Sequence, residues 1–347
     1  MAKFPWITIG VCVISVLLFI GFHVDPELDI TQRHYNWGST DVYRIWGGHY
    51  WGVISCNFLH VSLVHLLLNL NAMFYLGSLL EQHVKRPVYI ILILTSCIIV
   101  SSAELVISNQ SGIGLSGILY AVFGVILFNQ KKGVYPEYLS KNTVQLLIGW
   151  LFLCVILTKF KVLNIGNAAH FSGFIWGLLI GWILHTAHIG RFIIGVGILG
   201  LSLIPFYAAP WSVEWLSAKG LQHHEVKDLS NAKNWYNKAL SKDSTHQMSR
   251  TNLNIILQYE MLQTVDSLIK LKDFVGAKYE LQKVKAIDST SAQVVEWEQY
   301  IEVQLLSIMA FDLHSARHYS EALKKYEAIL AIDSNNDWAK KNMKLLP

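Results

Sequence analysis

Residues 112–124, GIGLSGILYAVFG, place one hydroxyl, Ser116, between glycines at the start of an apolar run. Glycine permits backbone conformations that other residues avoid, and serine is common where helices begin. The run over 114–128 has 15 residues. As a helix it would rise about 22 Å, less than the roughly 30 Å of a membrane core. We therefore expect this helix to start below the membrane surface, in a cavity that water reaches.

The composition divides the 347-residue chain into two parts. Hydrophobic residues make up 53% and charged residues 15%, which is too apolar for an ordinary soluble protein. Residues 1–210 hold 11 of the 28 Lys and Arg and 7 of the 24 Asp and Glu, so residues 211–347 hold 17 of each. We predict an all-α protein, with a polytopic membrane helix bundle over 1–210 and a soluble α-helical repeat domain over 211–347. None of the four cysteines has CxxC spacing or a close partner, so we predict no disulfide framework and no zinc ribbon.

Seven apolar segments are predicted to span the membrane, and basic residues predict their orientation. The spans are 6–22, 59–80, 88–107, 114–128, 143–158, 168–184 and 192–209. On one side lie Lys3, Lys85, Arg86, Lys131, Lys132, Lys141 and Arg191, and on the other Arg33, Arg44, Lys159 and Lys161. This bias predicts a cytoplasmic N-terminus and, after seven spans, a C-terminal domain outside. The protein is predicted to be a multi-pass protein of a bacterial inner membrane.

Polar side chains inside spans are functional candidates, because burying them in lipid is costly. Those of the second span and of the residue that follows it are His60, His65, Asn69, Asn71 and Glu81. His65 and Asn69 are four residues apart and share a helix face, as do Ser116 and Tyr120 in the fourth span.

Ser116 lies in the fourth span and His170 in the sixth. Both are near the outer ends of their spans. A serine nucleophile needs a base within hydrogen-bond reach, and an imidazole supplies one. The Asn69 amide, the His65 imidazole and the Ser116 backbone N–H would then stabilise the oxyanion. This combination predicts a serine hydrolase site.

Glycines surround both predicted catalytic residues. Gly114 and Gly117 flank the serine and let backbone and substrate approach closely. Gly173 and Gly177 continue a small-xxx-small stripe after the histidine, which lets two helices touch. We expect the stripe to hold the histidine against a neighbouring helix.

Spaced motifs over residues 40–185 resemble the rhomboid family of intramembrane serine proteases. They are Gly-x-Ser-Gly at 114–117, Ala-His-x-x-Gly-x-x-x-Gly from Ala169, His-x4-His-x3-Asn from His60, and the single residues Glu81 and Tyr120. The resemblance implies a six-span core, here with a seventh span, and no cofactor. It also implies a Ser116–His170 dyad without an acidic third member, with Tyr120 packed against His170.

Two positions depart from the family pattern. The Trp-Arg pair of the first outer loop reads Trp51-Gly52, and the residue after Gly117, often alanine in the family, is Ile118. The first departure concerns how the loop sits in lipid, and the second places a bulkier side chain next to the nucleophile.

The C-terminal part contains a repeat with a period of 45 residues. Its segments start at Asp228, Asp273 and His318. Equivalent positions are Ala232, Ala277 and Ala322, and Asp243, Asp288 and Asp333. The segments resemble tetratricopeptide repeats, although a period above about 34 residues requires longer helices or connections. Such an array either stabilises itself or binds a protein partner on its concave surface.

The motifs predict an intramembrane serine endopeptidase that cuts membrane-spanning proteins near the outer membrane face. Its expected partners are these substrates, the lipid bilayer and a protein bound by the repeats, but no nucleic acid. One alternative is a catalytically silent rhomboid-like protein that binds clients. Another is a seven-span metal-dependent hydrolase using His60, His65 and His170, although Glu81 lies at the opposite end of its span from such a site.

Overall fold

The computed structural model describes residues 4–24, 26–186, 188–287 and 291–347. Lys3 and Asp288, which enter the predictions above, lie outside the described residues. Within these ranges every regular element is a helix, so the predicted all-α architecture is confirmed. The chain divides into two compact units, Met1–Gln222 and His223–Pro347.

The first unit is built from helices, the last of which extends slightly beyond its boundary. They are α1 (Trp6–Val24), α2 (Ile30–Asn36), α3 (Val42–Trp46), α4 (Gly52–Ser55), α5 (Leu63–His83), α6 (Arg86–Ser108), α7 (Ser116–Lys131), α8 (Lys141–Lys159), α9 (Asn167–His185), α10 (Ile189–Tyr207) and α11 (Val213–Glu225). In the described part of the chain, six helices are long and apolar enough to cross a membrane: α1, α5, α6, α8, α9 and α10. α7 has only 16 residues and is the short helix expected from the opening stretch.

α7 lies at the centre of the bundle, since 11 of its 16 residues are buried. It packs most extensively against α9. A Cβ atom at Gly173 would overlap the Gly117 carbonyl oxygen, and one at Gly177 would overlap that of Ala121. A Cβ at Gly124 would lie 2.6 Å from the Phe174 carbonyl oxygen. The two backbones are therefore in direct contact, as the small-xxx-small stripe predicted.

A buried carboxylate attaches α1 to the bundle. Glu81, near the end of α5, accepts hydrogen bonds from the backbone N–H groups of Ile7 and Thr8 at 3.1 and 2.9 Å. It also accepts one from the Thr8 hydroxyl at 2.9 Å. The first N–H groups of a helix have no partner within the helix, and a negative charge is favourable there. Glu81 therefore holds the start of α1 against the end of α5.

Most of α11, residues 213–222, lies in the first unit, and the domain boundary predicted at residue 210 precedes this helix. The Trp46 indole N–H, at the end of α3, donates to the Pro205 carbonyl oxygen at 2.9 Å. The Gln222 side-chain amide donates to the Trp46 carbonyl oxygen at 2.8 Å. Leu216 and Ala218 of α11 are buried. The connection between α1 and α5 is thus tied to both α10 and α11.

The second unit is a succession of helices, each packed against the next. They are α12 (Leu229–Lys242), α13 (Gln247–Lys270), α14 (Phe274–Ile287), α15 (Ala292–Ser315), α16 (Tyr319–Ile332) and α17 (Asp337–Met343). α12, α14 and α16 have 14 residues each, whereas α13 and α15 have 24. The long second helix of each pair accounts for the 45-residue period.

The backbone and the packing of this unit follow the sequence repeat. Ala232, Ala277 and Ala322 are fully buried at equivalent positions of α12, α14 and α16. The residues just before each repeat, Lys227, Lys272 and Arg317, all have a positive φ, between 61° and 65°. The same turn therefore enters each of the three short helices.

The close contact between α7 and α9 predicts that adding one methyl group at this interface strongly destabilises the protein. Gly177→Ala should lower the free energy of unfolding by about 1–3 kcal/mol, because its Cβ meets backbone atoms that cannot move aside. Gly149→Ala, in α8, is the control, since a Cβ there has nothing within 4 Å. It should be neutral or stabilising through its higher helix propensity. Thermal unfolding in detergent measures both, and equal melting temperatures for the two variants would contradict this packing.

Candidate active site

Three backbone contacts define the loop that enters α7. Gly114 has φ +103°, a conformation that favours glycine, and its N–H donates to the Cys56 carbonyl oxygen at 3.1 Å. The Leu115 N–H approaches His60 Nε2 at 3.4 Å. His60 Nδ1 lies 3.1 Å from the Phe58 carbonyl oxygen. These distances indicate the Nδ1–H tautomer, with Nε2 as the acceptor. The loop thus ends at Ser116, which is the first residue of α7.

Ser116 and His170 meet across the contact between α7 and α9. His170 Nε2 lies 2.7 Å from Ser116 Oγ, and the histidine is 5% exposed. Among the described residues, no side chain or backbone group is hydrogen-bonded to His170 Nδ1. The Tyr120 ring packs 5.0 Å from the imidazole, centroid to centroid, and its hydroxyl donates to the Leu147 carbonyl oxygen at 3.1 Å. Packing against the tyrosine orients the imidazole towards the serine.

His65 and Asn69 lie beside the loop that enters α7. A Cβ atom at Gly114 would be 2.6 Å from His65 Cε1 and 3.1 Å from its Nε2, so glycine makes room for this ring. The Asn69 amide nitrogen donates to the His65 carbonyl oxygen at 3.0 Å. An amide carries two N–H donors, and this bond uses one of them.

The three histidines of the metal-hydrolase alternative do not converge on one point. The rings of His60 and His65 are 4.9 Å apart, but their neighbour is the loop before α7, while His170 Nε2 is directed at Ser116. Within the described residues, no group of three or more His, Cys, Asp and Glu side chains has the arrangement of a metal site.

Packing explains the glycine that departs from the family pattern. A Cβ atom at Gly52 would overlap the Thr40 side chain, which is fully buried. An arginine does not fit at this position without moving the connection between α1 and α5. Ile118, the other departure, is fully buried in the core of the bundle.

Sequence analysis missed one buried residue next to the site, Glu104. It lies near the end of α6, is 3% exposed, and accepts a hydrogen bond from the Ala169 N–H at 2.8 Å. Ala169 directly precedes His170. The sequence could have revealed Glu104, because it lies inside the predicted span 88–107 and a glutamate in an apolar span is a functional candidate by default.

Comparison with known proteins identifies this bundle. The family model of the rhomboid domain matches residues 47–187. These residues form a rhomboid domain. The matched range contains Ser116, His170 and the residues around them, and the resemblance read from the spaced motifs is confirmed.

Curated relatives agree with the rhomboid domain. The chain is 29% identical over 178 residues to rhomboid protease GlpG of Haemophilus influenzae, covering 51% of this chain and 90% of that protein. It is 28% identical over 182 residues to the rhomboid proteases GlpG of Yersinia pseudotuberculosis and Yersinia pestis. The latter matches cover 51% of this chain and 62% of each relative.

The loop geometry of the rhomboid domain predicts that Gly114 tolerates no side chain. Gly114→Ala should slow the reaction of Ser116 with a fluorophosphonate by about tenfold or more, because the new Cβ displaces His65 and strains the loop, and about 1.4 kcal/mol suffices for that factor. Gly133→Ala is the matched control, since Gly133 also has a positive φ, +71°, but nothing within 4 Å of its Cβ position. Equal labelling rates in both variants would show that the contact with His65 is unimportant.

Proposed function

We propose that Ser116 and His170 form the catalytic dyad of the rhomboid domain. The protein is a serine-type endopeptidase of the rhomboid type. The observation that supports the dyad is the 2.7 Å separation of His170 Nε2 and Ser116 Oγ. This is within the range in which a base accepts the proton of its nucleophile. His170 is therefore the base proposed for the serine.

The reaction begins with attack of Ser116 Oγ on the carbonyl carbon of the scissile peptide bond. As the C–O bond forms, the serine proton passes to His170 Nε2, and the carbonyl oxygen becomes an oxyanion. The start of α7 favours this step, because its first N–H groups lack partners within the helix and its dipole is positive there.

Three groups are proposed to donate hydrogen bonds to the oxyanion. They are the Ser116 backbone N–H, the second N–H of the Asn69 amide and the His65 imidazole. Asn69 is held in place by its bond to the His65 carbonyl oxygen, so its free donor is preorganised. Donors fixed in advance stabilise developing charge without the cost of reorganisation.

The intermediate then collapses and the peptide bond breaks. The protonated His170 gives its proton to the leaving amine, and an acyl group remains on Ser116 Oγ. A water molecule attacks this ester with His170 again as the base, which releases the new carboxyl group and restores the serine. The protons balance, because His170 returns each one it receives.

The substrates are membrane proteins, as for rhomboid proteases in general. We further propose that the protein lies in a bacterial inner membrane with its N-terminus in the cytoplasm and the second unit outside. The repeats of that unit would hold the exposed portion of a substrate and raise its concentration near Ser116. Charge bias in residues 1–210 and the helical pairs of the second unit support this arrangement.

The dyad predicts that removal of either member abolishes cleavage. Ser116→Ala and His170→Ala should each lower the turnover of a model single-span substrate by at least about 10³-fold, because neither group works without the other. Fluorophosphonate should label the wild type at Ser116, and labelling should be lost in His170→Ala.

Ser172→Ala serves as the control, because this nearby hydroxyl donates to the Ala169 carbonyl oxygen within its own helix. It should retain cleavage and labelling. Cleavage by the Ser116→Ala variant would refute the protease mechanism. If a chelator abolished cleavage by the wild type, that result would favour the metal-dependent alternative.

The proposed topology predicts that the second unit is accessible from outside the cell. Ser241→Cys, on α12, should react with a membrane-impermeant thiol reagent on intact cells. Val134→Cys, between α7 and α8, should react only after permeabilisation, because it lies on the predicted cytoplasmic side. Truncation after Glu225, which retains α11, should preserve cleavage of a short model substrate and reduce that of the natural one.

Two results would contradict this role of the second unit. Labelling of Ser241→Cys only in permeabilised cells would place the repeats in the cytoplasm. An equal loss of activity on both substrates after truncation would show that the repeats stabilise the membrane unit and do not select what is cut.

A further inference from the structure

Glu104 is the one buried carboxylate near Ser116 and His170 within the described residues, and the mechanism above does not use it. It lies on α6, between the two segments that carry the dyad. A Cβ atom at Gly112, four residues before Ser116, would be 3.1 Å from Glu104 Cγ. A Cβ at Gly166, four residues before His170, would be 3.1 Å from Glu104 Oε1. Two glycines thus make room for this side chain, one on each side.

The start of α9 depends on Glu104 for a contact that its own sequence lacks. The residue that caps this helix is Gly166, which has no side chain to accept a hydrogen bond from the first turn. Glu104 Oε1 accepts one instead, from the Ala169 N–H at 2.8 Å. In a membrane interior an unsatisfied N–H is costly, and a negative charge is favourable at a helix start.

We propose that Glu104 is a positioning residue that sets the placement of His170 relative to Ser116. The proposal rests on the proposed dyad. Its hydrogen bond holds the backbone of Ala169, and the next residue along the helix is His170. Its side-chain stem occupies the space beside Gly112, in the loop that leads to Ser116. One buried residue therefore bonds to the backbone next to His170 and lies beside the loop that leads to Ser116, on either side of the 2.7 Å contact between Nε2 and Oγ.

A small displacement of His170 has a large consequence for the reaction. Proton transfer from Ser116 requires hydrogen-bond distance, and a shift of about 1 Å can reduce the rate by about 10²-fold. Loss of the bond to Ala169 would let the first turn of α9 fray or move away from α6. Substrate binding should change little, because Glu104 is 3% exposed and offers almost no surface for a substrate to contact.

The test compares three substitutions of Glu104 in the full-length protein. Glu104→Gln keeps an acceptor oxygen at the same length and should retain kcat within about threefold. Glu104→Met has similar volume but no oxygen, and it should lower kcat by about 10- to 100-fold. KM should stay within about twofold in both. Glu104→Asp withdraws the carboxylate by one methylene and should also lower kcat, so it replaces the methionine variant if that protein fails to fold.

Glu81 provides a matched control with the same chemistry at the opposite end of the bundle. It too is a buried carboxylate that accepts backbone N–H groups at the start of a helix, α1. Glu81→Met should lower the melting temperature, while the kcat of its folded fraction, isolated by size exclusion, stays near that of the wild type. The fluorophosphonate labelling rate should fall with kcat in Glu104→Met and remain unchanged in Glu81→Met.

Several outcomes would overturn the positioning role. It fails if Glu104→Met or Glu104→Asp turns over like the wild type, if Glu104→Gln loses as much kcat as Glu104→Met, or if Glu81→Met loses kcat equally. These outcomes differ from failure of the dyad itself, which would appear as cleavage by Ser116→Ala. An inactive Ser116→Ala together with a fully active Glu104→Met would leave the dyad standing and remove only Glu104.

Discussion

The direct backbone contact between α7 and α9 is the constraint on which the site depends. Gly173 and Gly177 place the carbonyl oxygens of Gly117 and Ala121 where side chains would otherwise be. Without a hydrophobic driving force between helices in lipid, such close packing is a main source of association. The contact brings the first turn of a short helix to the first turn of a long one. Because the helices are so close, even the short side chain of serine comes within hydrogen-bond distance of an imidazole on the neighbouring helix.

Two buried carboxylates, Glu81 and Glu104, apply one physical rule at opposite ends of the bundle. Each lies near the end of one helix and accepts N–H groups from the start of another. Helix starts are the places where a membrane protein most needs acceptors, because neither water nor lipid supplies them inside the bilayer. Glu81 joins α1 to α5 far from the reaction. Glu104 joins α9 to α6 beside it, so the same interaction has a different consequence.

The rest of the first unit surrounds this arrangement. The connection between α1 and α5 contributes the Cys56 carbonyl oxygen that holds Gly114, and its other end is tied to α10 and α11 through Trp46. The packing of Gly52 on Thr40 shows that this connection is shaped by its own contacts, which differ from the family pattern. The second unit is built differently, as a repeat in which a buried alanine and a turn with positive φ recur every 45 residues.

The sequence by itself predicted the membrane helices and the residues proposed to react. Lengths of apolar runs predicted the membrane helices, including the short α7, because span length follows from bilayer thickness. Spaced motifs predicted Ser116, His170 and the glycines, because each requirement falls on residues close together in the chain. Only the tertiary structure decided the partners of Glu104, the hydrogen bond of the Asn69 amide and the assignment of α11 to the first unit. These depend on which groups of distant segments meet, and the composition of α11 does not reveal its hydrogen bond to the end of α3. A buried polar group acquires its role from its partner, and the partner is chosen by packing.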